Sequence, residues 1–322
     1  MPGRRRRRGK VTGIVVMIVA LVVGFAGIST AQERLEHDFF GLPELSIPSL
    51  FGGLPDPISP QQPAIPSEGA VEVHFIDVGQ GESILILAPE KTVLIDGGDN
   101  GQGPTVLRYL SARGVRSIDI LIATHPHADH IGGLIDVVQQ IPISTVIMPE
   151  VPDNLVPTTR TYTNFLMALL ERGLSITPAI AGEIFDLGGG ATLTILSPMR
   201  DYSRLNDMSI VSRLELGEIS FLFTGDIEIA AEHDLATAGG IRSDVLNLAH
   251  HGSRTSTTQI FLDAVNPSIA VIACGLDNNH GHPHRTVVER LEAMDIHILR
   301  TDFDGSIVLI TDGESIGVST ER

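Results

Sequence analysis

The chain is poor in cysteine, and this shortage excludes several kinds of site. Cys274 is the single cysteine among 322 residues, so no disulfide can form within the chain and a cysteine-based zinc site is excluded. Cys274 lies in the apolar run of residues 268–275, where we expect its thiol to fill space in the core. The sequence also lacks a P-loop, and GQGES at residues 79–83 lacks the serine placement of a nucleophile elbow.

Positive charge is also scarce, and much of it lies at the N-terminus. The formal net charge is −17, and the first ten residues contain six Lys and Arg residues, so residues 11–322 carry −23. A surface of this sign repels polyanions at long range and argues against extended, sequence-independent binding of duplex DNA. A phosphate ester at a cationic metal centre remains compatible with it, because bound ions can be the largest local charges in a site.

Long hydrophobic runs are missing after residue 28. The basic residues Arg4–Arg8 and Lys10 precede the uncharged apolar stretch Val11–Ile28, which is the order of a basic region and a membrane-spanning segment. Ser29–Ala31 supplies the small residues of a cleavage site, so a membrane anchor and a removable signal peptide both remain open; the length of the stretch favours the anchor. We therefore expect an extracytoplasmic protein that is membrane-anchored or secreted.

Composition predicts three regions along the chain. Residues 1–31 form the N-terminal basic segment with the anchor or signal peptide, and residues 32–69 form a proline-rich linker with prolines too closely spaced for a helix or a central strand. Residues 70–322 form the main domain.

Strand-like and helical segments of the main domain predict an α+β fold. Most strands come in pairs or small groups with helices between them, which favours two mixed sheets covered on both outer faces by helices over a doubly wound single sheet. No internal repeat at a solenoid period is present. The predicted strands are 71–78, 83–87, 92–95, 118–123, 145–148, 192–196, 209–215, 220–224, 245–249, 269–273, 296–300 and 306–310, and the predicted helices are 104–113, 131–140, 161–172, 229–238, 259–264 and 286–294.

One short segment concentrates residues of metal-ligand type. His125, His127, Asp129 and His130 place three imidazoles and a carboxylate within six residues, between a predicted buried strand and a predicted helix. Imidazole and carboxylate are ligands that suit Zn²⁺, Mn²⁺ or Fe²⁺. The spacing therefore predicts a metal site on a strand-to-helix turn.

Acidic residues follow three other predicted strands. We interpret Asp77 as an acceptor beneath the metal turn that orients a ligand histidine or a bound water. Asp96 ends a strand before two glycines, where a structural role is equally compatible. Asp226 follows the apolar strand of residues 220–224, and a carboxylate at a buried strand end can bridge two cations because each oxygen can bind one ion.

Histidines recur in two later segments. Eight of the twelve histidines lie in the first turn, in DVLNLAHHGSRTS at residues 244–256 and in NNHGHPH at residues 278–284. His250 or His251, together with His282, can complete the coordination of metal ions. The remaining histidines can transfer protons or contact a substrate, since histidine titrates near neutral pH.

Taken in order, these motifs resemble the metallo-β-lactamase superfamily, and in particular the domain at the C-terminus of ComEC-type DNA-uptake proteins. The resemblance is carried by FIDVGQGES, VLIDGG, THPHADHIGG, LFTGD, VLNLAHHGSRTS and GHPH, which span about residues 70–312. It implies a four-layer αββα sandwich and two divalent ions, zinc or manganese. The implied ligands are His125 and His127 for one ion and Asp129, His130 and His282 for the other, with Asp226 bridging.

The sequence departs from the family pattern in two places. No histidine lies between His130 and Asp226, so the third-motif histidine of the superfamily is missing, and Asn206, Asp207 or His250 is the candidate to fill its position. This departure makes a harder metal such as Mn²⁺ plausible beside Zn²⁺. ComEC proteins also carry a polytopic channel, whereas this chain has one hydrophobic segment, so we do not expect it to form a translocation pore.

The resemblance favours a dinuclear metallohydrolase that acts on a phosphodiester, such as single-stranded DNA or a nucleotide. In this hypothesis Asp129 helps to hold an activated water and Arg254 contacts a non-bridging oxygen, while His251 or His284 protonates the leaving group. A solvated surface charge is an equally compatible interpretation of Arg254. Hydrolysis of a lactone or a β-lactam is an alternative, because a fold does not determine its substrate. A non-catalytic binding domain that keeps metal for stability is an alternative of another class. No stable protein partner is predicted.

Overall fold

A computed structural model describes residues 69–322, which form two β-sheets with helices outside them. The predicted anchor or signal peptide and all of the linker up to residue 68 lie outside the described residues, so these assignments stay predictions. Within residues 69–322, no helix combines the length and the apolar character that crossing a membrane requires.

Strands and helices alternate in groups along the described residues. The strands are β1 (Val71–Phe75), β2 (Ile84–Leu87), β3 (Thr92–Ile95), β4 (Ile118–Ile122), β5 (Ile143–Met148), β6 (Ile176–Pro178), β7 (Ile184–Gly188), β8 (Ala191–Ser197), β9 (Val211–Leu216), β10 (Ile219–Phe223), β11 (Val245–Asn247), β12 (Ile269–Ile272), β13 (His297–Arg300), β14 (Ile307–Thr311) and β15 (Ile316–Thr320). The helices are α1 (Gly103–Ala112), α2 (Ala128–Ile131), α3 (Leu134–Gln140), α4 (Arg160–Glu171), α5 (Ile229–Ala238), α6 (Gln259–Val265), α7 (Arg285–Glu292) and α8 (Thr301–Asp304), with short 3₁₀ helices at Asp153–Leu155, Asn206–Met208 and Ala249–Gly252.

Both sheets are mixed, as predicted. The first has the order β15-β14-β1-β2-β3-β4-β5-β6, antiparallel from β15 to β3 and parallel from β3 to β6. The second has the order β13-β12-β11-β10-β9-β8-β7, parallel from β13 to β10 and antiparallel from β10 to β7. The predicted sandwich of two mixed sheets flanked by helices is confirmed.

Alternating side chains build three apolar layers. In β2, Ile84 and Ile86 pack in the core between the sheets, whereas Leu85 packs in the outer layer with residues of α1, α3 and α4. In β10, Phe221 and Phe223 face the inner core, and the intervening leucine packs in the opposite outer layer with residues of α5, α6 and α7. Because both faces of the central strands are buried, their sequences are nearly continuous apolar runs.

Several elements differ from their prediction. The structure divides the predicted helix 131–140 into α2 and α3 at Gly132 and Gly133, because the backbone of residues 97–100 packs so closely there that an added Cβ would clash. Strands β6, β7 and β15 and helix α8 were not predicted. Strand β6 has three residues and ends at Pro178, and β15 contains Gly317 and is largely exposed, so neither has the apolar pattern of a central strand.

Candidate metal centre

Chain segments that follow four strands converge at one edge of the two sheets. Asp96 follows β3, residues 125–130 follow β4, Asp226 follows β10, and His250 and His251 follow β11. Strands β3 and β4 are parallel neighbours in the first sheet and β10 and β11 in the second, so within each pair the carboxyl ends lie at the same edge. This arrangement produces two groups of ligand-type side chains that share Asp226.

The first group consists of His125, His127 and Asp226, whose ligand atoms lie within 4.8 Å of one another. His125 Nε2 is 2.9 Å from His127 Nδ1 and 3.7 Å from Asp226 Oδ2. Burial, reinforced by the neighbouring charge of His130, holds the pKa of His125 well below its usual value. His125 is therefore neutral, which is the form of imidazole that binds metal.

The second group consists of Asp129, His130, Asp226 and His251. His130 Nε2 lies 3.2 Å and His251 Nε2 lies 3.6 Å from Asp226 Oδ1. His251 Nε2 is also 3.4 Å from Asp129 Oδ2. The side chain of Asp129 is partly exposed, whereas those of the other three residues are buried.

Hydrogen bonds on the far side of two rings determine which nitrogen faces the second group. His130 Nδ1 lies 2.7 Å from Asp96 Oδ2, and His251 Nδ1 lies 2.8 Å from the carbonyl oxygen of Ala273. Since a carboxylate and a carbonyl only accept, both rings donate from Nδ1 and present the Nε2 lone pair to the group.

Three atoms that face one another in the second group receive no hydrogen bond. Nε2 of His130, Nε2 of His251 and Oδ1 of Asp226 are buried without a hydrogen-bond partner among the described residues. Buried polar atoms are normally paired, and three acceptors that converge require positive charge between them. The side chains therefore fit a divalent cation.

The pKa values in the second group show the same demand for positive charge. Burial by itself would lower the pKa of His130, but the carboxylates of Asp226 and Asp96 together raise it well above its usual value. Burial by itself would raise the pKa of Asp226, but His130 and His251 hold it well below its usual range. A bound divalent ion meets this demand in place of protons.

Asp96 orients ligands of both groups. Its Oδ1 accepts the backbone N–H of Thr124 at 2.8 Å, and its Oδ2 accepts the Thr124 hydroxyl at 2.6 Å besides the His130 ring. The Thr124 hydroxyl has then donated its proton, so it accepts from His125 Nδ1 at 3.2 Å. One buried carboxylate thus sets the proton positions of a ring in each group.

Asp77 does not reach the centre, which corrects its interpretation as the acceptor beneath the metal turn. Its carboxylate accepts the N–H of Gly79 at 3.1 Å and a guanidinium N–H of Arg322 at 2.7 Å. The reason lies in where the strands end. One residue, Ile76, separates Asp77 from the end of β1, and Asp77 forms an Asx turn, whereas Asp96 follows β3 directly.

Asp207 does not join either group, which corrects its prediction as a ligand. Its Oδ1 accepts the backbone N–H groups of Glu228 at 2.9 Å and Ala231 at 3.1 Å, where α5 begins. These are N–H groups that have no partner within a helix, so the carboxylate acts as a helix cap. The neighbouring Asn206 lies closer to the centre, with its Nδ2 3.4 Å from His250 Nδ1.

His250 is placed beside the first group. Its Nε2 lies 3.7 Å from Asp226 Oδ2. The same oxygen lies 3.7 Å from His125 Nε2. Its Nδ1 faces Thr255 Oγ1 at 3.3 Å and Glu228 Oε1 at 3.6 Å, which can hold the ring in this orientation.

The backbone of the 3₁₀ turn explains how two consecutive histidines approach the same carboxylate. His250 and His251 have φ angles of 52° and 55°, in the left-handed region that non-glycine residues seldom adopt. His250 thereby approaches Oδ2 of Asp226, and His251 approaches Oδ1. Local strain of this kind is concentrated at functional sites.

The placement of His251 matches one of its two predicted roles, and that of His282 differs from its role. His251, predicted either to complete the metal coordination or to donate a proton, has its Nε2 among the ligand atoms of the second group, where the resemblance implied His282. The His282 ring lies next to the centre, 5.6 Å from the His250 ring and 6.2 Å from the His251 ring. Burial and the neighbouring histidines lower the pKa of His282 to about 4, so it is neutral near pH 7.

His284 lies on the loop that contains His282, with the two rings 5.0 Å apart, and it contacts Arg254 in the segment after the 3₁₀ turn Ala249–Gly252. His284 Nδ1 accepts the backbone N–H of Arg254 at 3.2 Å, which leaves the ring proton on Nε2. His284 is then suited to donate a hydrogen bond to a substrate, whereas protonating a leaving group would require a second ring proton. The Arg254 side chain is exposed and has no ion pair within residues 69–322.

Sequence analysis missed three buried polar residues under the centre: Thr124, Glu82 and Asn247. Glu82 Oε2 accepts Asn247 Nδ2 at 2.9 Å, which joins the first sheet to the second. Burial raises the pKa of Glu82 to about 7. One sequence feature could have identified Glu82: it is a charged residue that lies just before an apolar strand.

Two mixed sheets, outer helices and a histidine–aspartate centre at the sheet edge define a class of protein, the αββα metallohydrolases. A sequence profile described as the metallo-beta-lactamase superfamily matches residues 76–276. The chain belongs to this superfamily.

The chain is also similar to competence proteins. It is 32% identical over 270 residues to ComE operon protein 3 of Bacillus subtilis, which covers 76% of this chain and 33% of that protein. It is 32% identical over 257 residues to competence protein ComA of Neisseria gonorrhoeae, which covers 78% of this chain and 33% of that protein. The chain thus spans about a third of the length of these ComEC-type relatives, and the resemblance to them is confirmed.

More distant similarities extend to other members of the fold. The chain is 29% identical over 209 residues to hydroxyacylglutathione hydrolase of Vibrio parahaemolyticus, which covers 63% of this chain and 71% of that protein. A mutant of CmlA beta-hydroxylase matches with a TM-score of 0.50 at 15% identity, over 76% of this chain and 54% of that chain. The latter similarity shows the fold alone.

Proposed function

We propose that this protein is a dinuclear metal-dependent phosphodiesterase that acts on single-stranded DNA or nucleotides outside the cytoplasm. The observation that carries the proposal is the sharing of Asp226 by two ligand groups, one on each carboxylate oxygen. The similarity to competence proteins supports a DNA-related substrate. A basic segment followed by an uncharged apolar stretch, within residues 4–28, supports the extracytoplasmic location.

The proposed ligand sets follow from the two groups. His125, His127 and His250 would hold the first ion and Asp129, His130 and His251 the second, with Asp226 between them. A set of imidazoles and carboxylates suits Zn²⁺ or Mn²⁺. When bound, the two ions would supply a nucleophile at neutral pH and stabilise negative charge on the phosphoryl oxygens.

Residues beside the centre would bind and orient the diester. The side chain of Arg254 is exposed and its backbone N–H contacts His284, so its guanidinium would attract a phosphate oxygen of the substrate. His284 would donate its Nε2 proton in a hydrogen bond to the substrate, since its Nδ1 is occupied by the N–H of Arg254. The net charge of −23 outside the first ten residues favours short single strands over long duplexes.

A substrate panel tests this proposal. We expect the purified full chain, loaded with Zn²⁺ or Mn²⁺, to hydrolyse bis(p-nitrophenyl) phosphate and to cleave single-stranded DNA faster than duplex DNA. A chelator should abolish both activities, and metal addition should restore them. Assays on nitrocefin and a panel of lactones run in parallel under the same metal conditions.

The panel also separates the alternatives. Turnover of nitrocefin or a lactone without diester cleavage would contradict the proposal and favour an acyl substrate, in line with the similarity to hydroxyacylglutathione hydrolase. Absence of turnover on every substrate by a metal-replete protein would favour the non-catalytic binding domain.

His250 should be the ligand that replaces the missing third-motif histidine. We expect His250→Ala to weaken the binding of one of the two ions by about 10- to 100-fold or more, because it removes a nitrogen beside Asp226 Oδ2. Metal content and isothermal titration calorimetry measure this effect.

Two control variants accompany this prediction. Asp207→Ala should lower stability by about 1 kcal/mol through loss of the helix cap and leave both metal affinities unchanged. His233→Ala, on the exposed side of α5, should change neither property. Loss of a metal ion in Asp207→Ala with retention in His250→Ala would reverse the assignment.

A further inference from the structure

Glu82 has a fully buried carboxylate under the metal centre. It is a member of neither of the two ligand groups. Its side chain is 1% exposed. Its backbone N–H donates to the carbonyl oxygen of Asp129 at 3.1 Å, and its own carbonyl accepts the N–H of Gly98 at 2.8 Å. These bonds tie the segment between β1 and β2 to the metal turn and to the end of β3.

The side chain of Glu82 joins the two halves of the second group. Its Oε2 accepts Asn247 Nδ2 at 2.9 Å, and Asn247 is the last residue of β11, three residues before His250. The second group takes Asp129 and His130 from the first sheet, and its other two members follow strands of the second sheet. The Glu82–Asn247 hydrogen bond therefore connects the two sheets that supply the members of the second group.

The other oxygen of Glu82 has no partner. Oε1 is buried and unpaired among the described residues, and Glu82 has no ion pair with a lysine or arginine there. An oxygen of Glu82 lies within 4.8 Å of an Asp96 oxygen and a His130 nitrogen. A buried carboxylate beside another carboxylate and without a lysine or arginine partner is costly unless other positive charge lies nearby.

A count of charges indicates where this positive charge comes from. Asp129 and Asp226 are the carboxylates of the two ligand groups, and Glu82 and Asp96 lie beside His130; the four side chains together carry four negative charges when ionised. The histidines are neutral when their lone pairs bind metal. Two divalent ions carry four positive charges, which balance the charges of these four carboxylates when Glu82 is included.

We infer that Glu82 is a positioning residue for the metal centre: it supplies a non-ligating negative charge and, through Asn247, holds the ligands of the two sheets at the spacing that the ions require. The inference rests on the proposed dinuclear centre. Partners of this kind, one shell outside the ligands, typically change metal affinity by about 10- to 100-fold.

The isosteric variant Glu82→Gln tests the charge. Its amide oxygen can still accept from Asn247, while the negative charge is lost. We expect the dissociation constant of at least one ion to rise by about 10- to 100-fold in calorimetry with Zn²⁺ or Mn²⁺. The metal-free variant should melt at the same temperature as the metal-free wild type or higher, because a buried unpaired charge has been removed. A purely structural residue would not combine weaker metal binding with an undiminished metal-free melting temperature.

Glu232→Gln is the matched control. Glu232 is equally buried, but its carboxylate accepts backbone N–H groups of Thr257 and Thr258 away from the ligand groups. We expect this variant to lower the melting temperature and to leave metal affinity unchanged. Asn247→Ala, which keeps the charge and removes the hydrogen bond, should weaken metal binding less than Glu82→Gln.

Each outcome decides for or against the inference. Metal affinity of Glu82→Gln within twofold of wild type would overturn it, and so would an equal loss of affinity in Glu232→Gln. A wild-type chain that binds two ions and cleaves diesters while Glu82→Gln binds metal normally would contradict the inference alone. A wild-type chain that binds no divalent ion would overturn both the inference and the proposed function.

Discussion

Asp226→Ala is expected to lose tight binding of both metal ions and to lower diester cleavage by roughly 10³-fold or more. The reason is that Asp226 is the residue common to both ligand groups, with Oδ2 facing His125 and Oδ1 facing His130 and His251. Metal analysis after gel filtration and kcat/KM on bis(p-nitrophenyl) phosphate measure the two effects.

Two further variants make this result interpretable. Asp226→Asn keeps the shape of the side chain but removes the charge, and we expect it to lose at least one ion. Asp263→Ala, at an exposed position of α6, should retain wild-type metal content and rate. Robust diester cleavage by a folded Asp226→Ala protein would disprove the proposed mechanism, and circular dichroism of the metal-free form verifies that the variant is folded.

His251→Ala is expected to lose one equivalent of metal. The loss of this ion should lower the rate of diester cleavage by about 10³-fold. This expectation follows from the hydrogen bond between His251 Nδ1 and the Ala273 carbonyl, which leaves Nε2 to face Asp129 and Asp226 as an acceptor. Metal stoichiometry and a pH–rate profile distinguish a ligand from a proton donor.

His284→Ala serves as the comparison for His251→Ala. Loss of a single hydrogen bond to the substrate should raise KM by about 10-fold, with both ions retained. If His251→Ala kept two ions and lost only the limb of the pH–rate profile that reports a general acid, then the role predicted from sequence would be correct and the ligand assignment would be wrong.

Much of the fold could be predicted because its central strands carry strong local patterns. Strands such as β2, β4 and β10 are mainly apolar runs, and their predicted bounds agree closely with the structure. Edge elements were missed because they lack that pattern: β7 and β15 contain glycine and exposed residues. The break between α2 and α3 depends on close backbone packing against residues 97–100, which no local pattern reveals.

The residues of the centre were predicted more fully than their roles. The turn at residues 125–130 and Asp226 were identified from the chemistry and spacing of their side chains, and the structure brings them together. Asp77 was given the orienting role that Asp96 has in the structure. The sequence pattern does not distinguish the two, because both follow apolar runs and lie shortly before glycines. The ends of the strands distinguish the two residues: β1 ends two residues before Asp77, whereas β3 ends directly before Asp96.

The sequence by itself determined the types of ligand, the turn that presents four of them and membership of the metallo-β-lactamase superfamily, because each of the motifs involved is a short continuous segment of the chain. Tertiary structure alone decided that His251 rather than His282 joins the second group, that Asp96 orients two rings, and that Glu82 lies beneath them. These roles depend on hydrogen bonds and burial between segments that are distant in sequence. They are set when the two sheets pack and the carboxyl ends of their strands meet.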